Sequence, residues 1–252
     1  MNLEPPPRPQ PVIDLSAAAW VEGAIGAFDD GVGSLIPDRF DNCARILHPA
    51  GVGDPPADVP WSAVAAWAGR EMHSLAQFEA ISSPRVAGND PPPWSRRPAE
   101  GEPPPALLRA LCEVLARHTS TRKCWLCLWE GYGWIGGSPG PEVPRVKLPQ
   151  RAYLLFEGSL DSLSEMGWRL GESLAVEHPA PGSDPSQFEP QPPNLFWPDD
   201  RAWFVASEID LDSTYIGGSA ELVADLLEDS RLETWPVNRN DQIDLRSDQI
   251  NG

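Results

Sequence analysis

Apolar residues recur at helical spacing in three stretches of the chain, and capping signals indicate a fourth helix. The predicted helices cover residues 15–28, 61–81, 106–118 and 219–228. In the first three, apolar side chains repeat every three or four positions and therefore share one face. Ser219 suits the N-cap of the last helix, and Glu221 lies in its first turn, where the helix dipole favours a negative charge. The tail after Trp235 is polar.

Shorter apolar runs predict strands. Residues 42–49 form one such run, and three others are aromatic, apolar and closed by a glutamate: Cys124–Gly131, Ala152–Gly158 and Ala202–Glu208. None of these three alternates cleanly between apolar and polar residues. We therefore expect each strand in the interior of a sheet or covered on both faces.

Together these elements predict an α+β fold, in which a mostly antiparallel sheet is covered by helices and connected by Pro-rich loops. Residues 1–11 are Pro-rich and expected to be disordered, and residues 83–105 contain eight prolines and predict a long loop. We interpret residues 12–252 as a single domain. The alternative is a helix-rich subdomain, 12–82, and a strand-rich subdomain, 106–252, that meet at the loop.

The charge of the chain narrows its expected partners. The 252 residues include 37 acidic and 19 basic ones, a net charge of −18, and residues 157–252 alone contain 20 acids and 5 bases. A surface this acidic repels phosphate backbones, so we expect no nucleic-acid partner. It attracts a basic protein or a divalent cation, although the simplest interpretation is a solvated face that aids solubility.

The sequence also predicts a compartment. No apolar run approaches the roughly 20 residues that span a membrane, and the first residues lack the basic and apolar regions of a secretory signal. Four cysteines in 252 residues do not suggest a disulfide scaffold. We therefore expect a cytoplasmic protein with reduced thiols and no membrane partner, and its oligomeric state is left open.

A short sequence occurs twice. Ile-Gly-Gly-Ser is found at Ile135–Ser138 and again at Ile216–Ser219, each time after a predicted strand in which Trp precedes Glu by five residues. The gap between that glutamate and the isoleucine differs between the two copies. This difference favours chance similarity over internal duplication, and both interpretations stay open.

One block of the chain resembles a protein family. The run Trp197–Ser219 has the sequence WPDDRAWFVASEIDLDSTYIGGS. It resembles a pattern shared by a family of uncharacterised actinobacterial proteins, in which the block is followed by a helix and an element like Trp235–Val237. The segments RILHP and CWLCLWEGYGW are similar to further blocks of that family, so the resemblance extends over most of residues 30–251. It implies a soluble intracellular bacterial protein, and it implies no activity, cofactor or catalytic residue.

The first candidate site is a cluster of acidic residues. Its members are Asp199, Asp200, Glu208, Asp210 and Asp212. If residues 208–212 continue a strand, Glu208, Asp210 and Asp212 point to the same side, because side chains alternate along a strand. Three adjacent carboxylates would be stabilised by Mg²⁺ or Ca²⁺ or by an arginine such as Arg201. The other interpretations are an exposed strand end and a partner-binding face.

The second candidate site is aromatic. Trp129, Tyr132 and Trp134 lie in a Trp- and Gly-rich segment, residues 129–137, of a chain that contains 11 tryptophans. Trp and Tyr dominate interface hot spots, so this segment predicts a partner-binding surface. The alternative is that these side chains fill the core, which is their more common fate.

Tyr215 precedes the glycine turn Gly217-Gly218, which we interpret as a plain turn and N-cap. In the alternative interpretation the turn is an anion pocket of backbone N–H groups, and Tyr215 and Thr214 would border it.

Other motifs carry less chemistry. Cys124-x-x-Cys127 lies within a predicted strand, so its thiols should point to opposite faces, and we interpret both as buried apolar residues rather than metal ligands. The four histidines form no HExxH motif. Neither a GxSxG elbow nor a nucleotide-binding glycine motif is present.

These observations predict a soluble, acidic, non-enzymatic interaction or regulatory protein, immunity-like in character, that binds a basic protein. The partner-binding residues would be Trp129, Tyr132, Trp134, Glu208, Asp210, Asp212 and Tyr215. No cofactor is expected, and no catalytic residue can be named. The alternative is a hydrolase that depends on Mg²⁺ or Ca²⁺ and holds the metal with Glu208, Asp210 and Asp212.

Overall fold

The computed structural model of the protein describes residues 7–27, 31–85, 90–132, 143–169 and 188–252. Its helices are α1 (Trp61–Ala68), α2 (Phe78–Ser82), α3 (Pro105–Leu115) and α4 (Ala220–Glu228). Its strands are β1 (Gln10–Pro11), β2 (Asn42–Leu47), β3 (Ala50–Val52), β4 (Ala57–Val59), β5 (Cys124–Trp129), β6 (Val146–Lys147), β7 (Ala152–Gly158), β8 (Gly167–Arg169), β9 (Phe188–Pro190), β10 (Leu195–Pro198), β11 (Phe204–Ala206), β12 (Ser213–Gly218) and β13 (Thr234–Val237).

Nine of these strands form one antiparallel sheet. The strand order is β1-β7-β5-β10-β11-β12-β2-β13, and β6 also pairs with β7. The other strands form two hairpins, β3 with β4 and β8 with β9. The mixed helix and strand content and the antiparallel sheet confirm the predicted fold class at this level. Because β2 lies between β12 and β13, the early and late parts of the chain share this sheet.

Local signals set the ends of the helices. The hydroxyl of Ser219 accepts a hydrogen bond from the Leu222 N–H at 3.2 Å, which confirms the predicted cap of α4. Pro105 begins α3, where its missing N–H removes no hydrogen bond. α1 ends at Gly69, whose φ of 66° is a left-handed conformation that glycine adopts without strain.

Both faces of the sheet are covered. Leu126 of β5 lies on the face that packs against α3 and α4, together with Leu111 and Leu226. Its neighbour Cys127 lies on the opposite face, which packs against residues 15–40. A third, smaller cluster lies beneath α1 and α2. Strands with two covered faces have apolar residues at consecutive positions, as the sequence shows.

Three predicted elements differ from the structure. The predicted helix 15–28 is a 3₁₀ turn, Leu15–Ala18, followed by further turns, since Gly23 has a φ of 87° that a helix does not accommodate. The predicted helix 61–81 is divided into α1 and α2 by Gly69. The predicted strand 202–208 is shortened to the three residues of β11.

The structure also bears on the Pro-rich segments. Residues 90–104 contain no helix and no named strand, although Arg96 forms an isolated bridge with Gly51. Gln10–Pro11, within the segment predicted to be disordered, pairs with β7.

The first Ile-Gly-Gly-Ser copy lies outside the described residues, whereas the second ends β12 and caps α4. No helix in the described ranges is long and apolar enough to cross a bilayer.

A buried histidine joins the end of β2 to its neighbours. His48 is fully buried, with Nδ1 2.7 Å from the Ala99 carbonyl oxygen and Nε2 2.8 Å from the Thr214 hydroxyl. The carbonyl can only accept, so Nδ1 carries the proton and Nε2 accepts from Thr214. Ser207 Oγ lies 2.8 Å from the same hydroxyl. Burial lowers the pKa of His48 to about 4, so this ring is neutral at pH 7.

We expect His48 to make the fold sensitive to mild acid. The unfolded chain binds a proton as the pH falls through about 6.5, whereas the folded chain does not until about pH 4. This residue should therefore remove about 2 kcal/mol of unfolding free energy between pH 7 and pH 5. Urea unfolding at both pH values measures the loss. In His48→Gln, the difference in unfolding free energy between pH 7 and pH 5 should be smaller by that amount. A difference equal to that of the wild-type protein would contradict the assignment.

Candidate functional site

The ends of four adjacent strands bring polar and aromatic side chains together at one end of the sheet. β5 ends at Trp129, which is paired with Tyr153 near the start of β7. β10 begins at Leu195, opposite Ala206 at the end of β11. Residues that flank these strand ends meet there because neighbouring strands run antiparallel. We call six of them the arginine cluster: Trp129, Tyr132, Arg151, Asn194, Glu208 and Asp210.

Arg151 is the centre of this cluster. Its Nε donates to Glu208 Oε1 at 2.7 Å, and its Nη2 contacts both that oxygen and Asp210 Oδ2, the latter at 2.7 Å. Its guanidinium carbon lies 5.2 Å from the centre of the Trp129 ring. The Glu208 side chain is 4% exposed and that of Asp210 is 68% exposed. One arginine therefore joins a buried carboxylate, an exposed carboxylate and an aromatic ring.

Arg151 stays positively charged in this environment. Burial works to lower its pKa, but the hydrogen bonds and negative charges of Glu208 and Asp210 outweigh burial and raise the pKa. The guanidinium thus stays protonated and neutralises the buried carboxylate. Because two carboxylates share one cation, the three charges sum to −1, and the excess lies on the exposed Asp210.

Asn194 hydrogen-bonds to the Trp129 backbone and to the Tyr132 side chain. Its Oδ1 accepts from the Trp129 N–H at 2.8 Å, and its Nδ2 donates to the Tyr132 hydroxyl at 2.9 Å. The rings of Trp129 and Tyr132 meet edge to face, with centroids 5.5 Å apart. Burial raises the pKa of Tyr132 to about 12, so its phenol is neutral and keeps a proton to donate.

A further acidic residue adds to the rim of the cluster. Glu102 is exposed and accepts a hydrogen bond from Gln191 Nε2 at 2.9 Å, and its charge contributes to the raised pKa of Tyr132. The segment before it is fastened to the turn after β11, where the Gly101 N–H donates to the Leu211 carbonyl at 2.9 Å. The aromatic pair therefore has Glu102 as an exposed acidic neighbour, and Arg151 links it to the exposed Asp210.

The structure brings together four of the seven predicted partner-binding residues. Trp129, Tyr132, Glu208 and Asp210 all belong to the arginine cluster. Tyr215 does not, since its side chain is 2% exposed and packs in the core. Trp134 lies outside the described residues.

The predicted set of three carboxylates is not formed. β11 ends at Ala206, and the chain turns where the Leu211 N–H donates to the Glu208 carbonyl, so residues 208–212 do not continue a strand. Asp212 lies instead 3.7 Å from Arg45, a buried arginine of β2. Burial raises the pKa of Asp212, although Arg45 opposes that rise.

The three carboxylates of the predicted metal site therefore do not converge on one point. Arg151, rather than the predicted Arg201, occupies Glu208 and Asp210. In the ranges that the structure describes, no group of three His, Cys, Asp or Glu side chains could hold a metal ion. The other two members of the acidic cluster lie elsewhere, where Asp199 accepts from the Trp125 indole and Asp200 accepts from the Ser120 N–H.

The cysteine pair is buried as two separate thiols. Cys124 lies in the core beside α3 and Cys127 in the core on the opposite face. Burial raises the pKa of the Cys124 thiol to about 12 and raises that of Cys127 as well. Both thiols are thus protonated at neutral pH, and they point away from each other as the strand position predicts.

Three residues of this region, Arg151, Asn194 and Glu102, belong to no motif or candidate site in the sequence. Arg151 immediately precedes β7, and Asn194 immediately precedes β10. Polar residues that flank strand ends would have been the signal, because such ends meet in an antiparallel sheet. Glu102 lies near the end of the Pro-rich loop, and nothing in its neighbourhood marks it.

Comparison with protein-family models, with curated proteins and with solved structures found no match for this chain. The resemblance of Trp197–Ser219 to the actinobacterial block therefore stays a prediction.

We expect divalent cations to leave the stability of the protein unchanged, since Arg151 already occupies the two clustered carboxylates. A cation bound at 100 times its dissociation constant would add about 2.7 kcal/mol and raise the melting temperature by several degrees. Thermal unfolding in EDTA, then in Mg²⁺, Ca²⁺ or Mn²⁺ at matched ionic strength, makes the comparison. A rise with one cation that disappears in Asp210→Asn would restore the metal interpretation.

We expect Arg151→Met to lower the unfolding free energy by roughly 3 kcal/mol, because it leaves the Glu208 carboxylate buried without its cation. Urea unfolding measures the change. The double variant Arg151→Met with Glu208→Gln should regain most of the loss. As a control, Arg122→Met removes an exposed ion pair with Asp161 and should cost less than about 1 kcal/mol. Equal stability of the single and double variants would show that the pair does not support the site.

Proposed function

We propose that the protein is a non-enzymatic interaction protein that binds a basic protein partner, as a regulatory or immunity-like protein does. The arrangement of the arginine cluster carries this proposal, because it combines two half-buried aromatic rings with an exposed carboxylate at one end of the sheet. The proposal keeps three expectations from the sequence: a cytoplasmic location, a relationship to the actinobacterial family and the absence of a nucleic-acid partner.

The aromatic pair suits a contact at the centre of an interface. Trp and Tyr are enriched among residues that dominate binding energy, and the best of them are held rigidly before the partner arrives. Trp129 and Tyr132 are only half-buried. Asn194 holds the Tyr132 hydroxyl, and the Trp129 ring packs edge to face on Tyr132 and lies against the Arg151 guanidinium. Little conformational freedom is therefore lost when a partner covers them.

The local charge favours a cationic group from the partner. Asp210 carries the net negative charge of the cluster, and Glu102 adds a second exposed carboxylate. Aromatic rings attract cations to their faces, and Arg151 shows that the Trp129 ring accepts a guanidinium. A lysine or arginine of the partner can pair with Asp210 while its stem lies against the aromatic residues.

The charge of the chain as a whole supports the same partner. Residues 157–252 carry 15 more acidic than basic residues, the difference between 20 acids and 5 bases. Such a field raises the association rate with a basic protein and is screened by salt. Association should therefore slow as the ionic strength rises, whereas the packing against the aromatic pair should not depend on salt.

A labelled oligo-arginine peptide tests the proposal directly. We expect fluorescence anisotropy to show saturable binding to the wild-type protein and weaker binding to Asp210→Lys with Glu102→Lys, by about tenfold or more. The matched control is Asp58→Lys with Glu228→Lys, which changes the net charge by the same amount at exposed positions outside the cluster. The control variant should retain most of the affinity, because only the general field is weakened.

Two results would contradict the proposal. Equal loss in the two charge-reversed variants would assign the binding to the general acidic field rather than to the cluster. Unchanged binding in the Asp210 and Glu102 variant would remove the cluster from the interface. Unfolding curves of all three proteins check that each substitution leaves the fold intact.

A further inference from the structure

The polar tail of the chain borders an open pocket of about 510 Å³, the tail cavity, that the arginine cluster does not use. This volume is within the range of small-molecule sites, about 300–1,000 Å³. The tail cavity is lined by His73 and Leu75 and by eight residues between Asn240 and Ile250.

The wall of the tail cavity is firmly built. Asp248, whose side chain is fully buried, accepts from His73 Nε2 at 2.8 Å and from the Gln77 N–H at 3.1 Å. Asn251 donates from Nδ2 to the Glu71 carbonyl and accepts from the Glu71 N–H, at 2.8 and 3.0 Å. These bonds tie the tail to residues 71–77, so the cavity exists before any ligand arrives.

The cavity holds opposite charges that do not pair with each other. Asp244 uses Oδ1 to accept the backbone N–H of Arg246 at 2.9 Å, and its Oδ2 receives no hydrogen bond from the described residues. The Arg246 guanidinium, two positions away, forms no ion pair with any of the described residues. Asp241 likewise bonds to Asn238 through Oδ2 alone. The tail cavity is thus lined both by a carboxylate that can bind a cationic group and by a guanidinium that can bind an anionic group.

Apolar side chains complete the lining. Leu75 forms part of the wall, and Ile250 remains 49% exposed although it also lines the cavity. An exposed isoleucine beside unpaired charges gains from a ligand that covers it, since burying its apolar surface is favourable.

We propose that the tail cavity binds a small zwitterion with an apolar side chain, an amino acid or dipeptide of the leucine type. Arg246 would hold the carboxylate through the forked donors of its guanidinium, which match a carboxylate geometrically. Asp244 would hold the ammonium group, and Leu75 and Ile250 would contact the side chain. The assignment does not depend on the proposed partner, because the tail cavity and the arginine cluster share no residue.

Titration calorimetry with defined probes tests this assignment. L-leucine and leucyl-leucine are compared with leucinamide, which lacks the carboxylate, and with N-acetyl-leucine, which lacks the ammonium group. We expect one of the two zwitterions to bind saturably and each blocked analogue to bind about tenfold more weakly or worse. In Arg246→Gln the zwitterion and leucinamide should bind alike, because the carboxylate has lost its partner. In Asp244→Asn the zwitterion and N-acetyl-leucine should bind alike, because the ammonium group has lost its partner.

Arg109→Gln is the matched control, since Arg109 is an exposed arginine of α3 outside the tail cavity. It should bind the zwitterion as the wild-type protein does. The assignment is overturned if neither zwitterion binds below about 10 mM, or if Arg246→Gln and Asp244→Asn keep the full preference for it. Loss of binding in Arg109→Gln to the same degree would also overturn it. Arg246 and Asp244 are exposed, so neither substitution is expected to disturb folding.

Discussion

A sheet that is covered on both faces has room for charged side chains chiefly at the ends of its strands, and this constraint organises the molecule. Within the strands, consecutive residues such as Leu126 and Cys127 enter opposite cores. A charge that does lie inside, such as Arg45, needs several acceptors, among them Ser213 Oγ and the Ala76 carbonyl. Polar chemistry is therefore displaced to the two ends of the sheet. The arginine cluster occupies one end, and Asp199 and Asp200 follow the strand β10 at the other.

Elements with local signals could be predicted from the sequence, and the site could be predicted only in part. The cap at Ser219 and the apolar runs of β5 and β7 are encoded by neighbouring residues, and they appear where expected. The ion pair between Arg151 and Glu208 joins residues 57 positions apart, and no local pattern encodes it. The carboxylate at 208 was recognised, but its partner follows from the order of the strands, which single-sequence periodicity does not specify.

The C-terminal tail shows a second reason why prediction stops short. Its polar composition offers no apolar periodicity, and so the sequence suggests little structure after Trp235. Order there comes from hydrogen bonds instead. Buried Asp248 and Asn251 satisfy the backbone of residues 71–77 and one another. Buried polar groups that are fully paired define a conformation as firmly as apolar packing does, but their partners are distant in sequence.

The position of β2 within the sheet has a consequence for how the chain is made. Arg45 and its cross-strand neighbour Ser213 are 168 positions apart. At about 5–20 residues per second, translation needs roughly 8–34 s to supply the strand that pairs with β2. During that time β2 has neither of its neighbours, because β12 and β13 are both still unmade. The newly made chain therefore presents an unpaired apolar strand to chaperones and to other chains until residues 213–218 and 234–237 have been made.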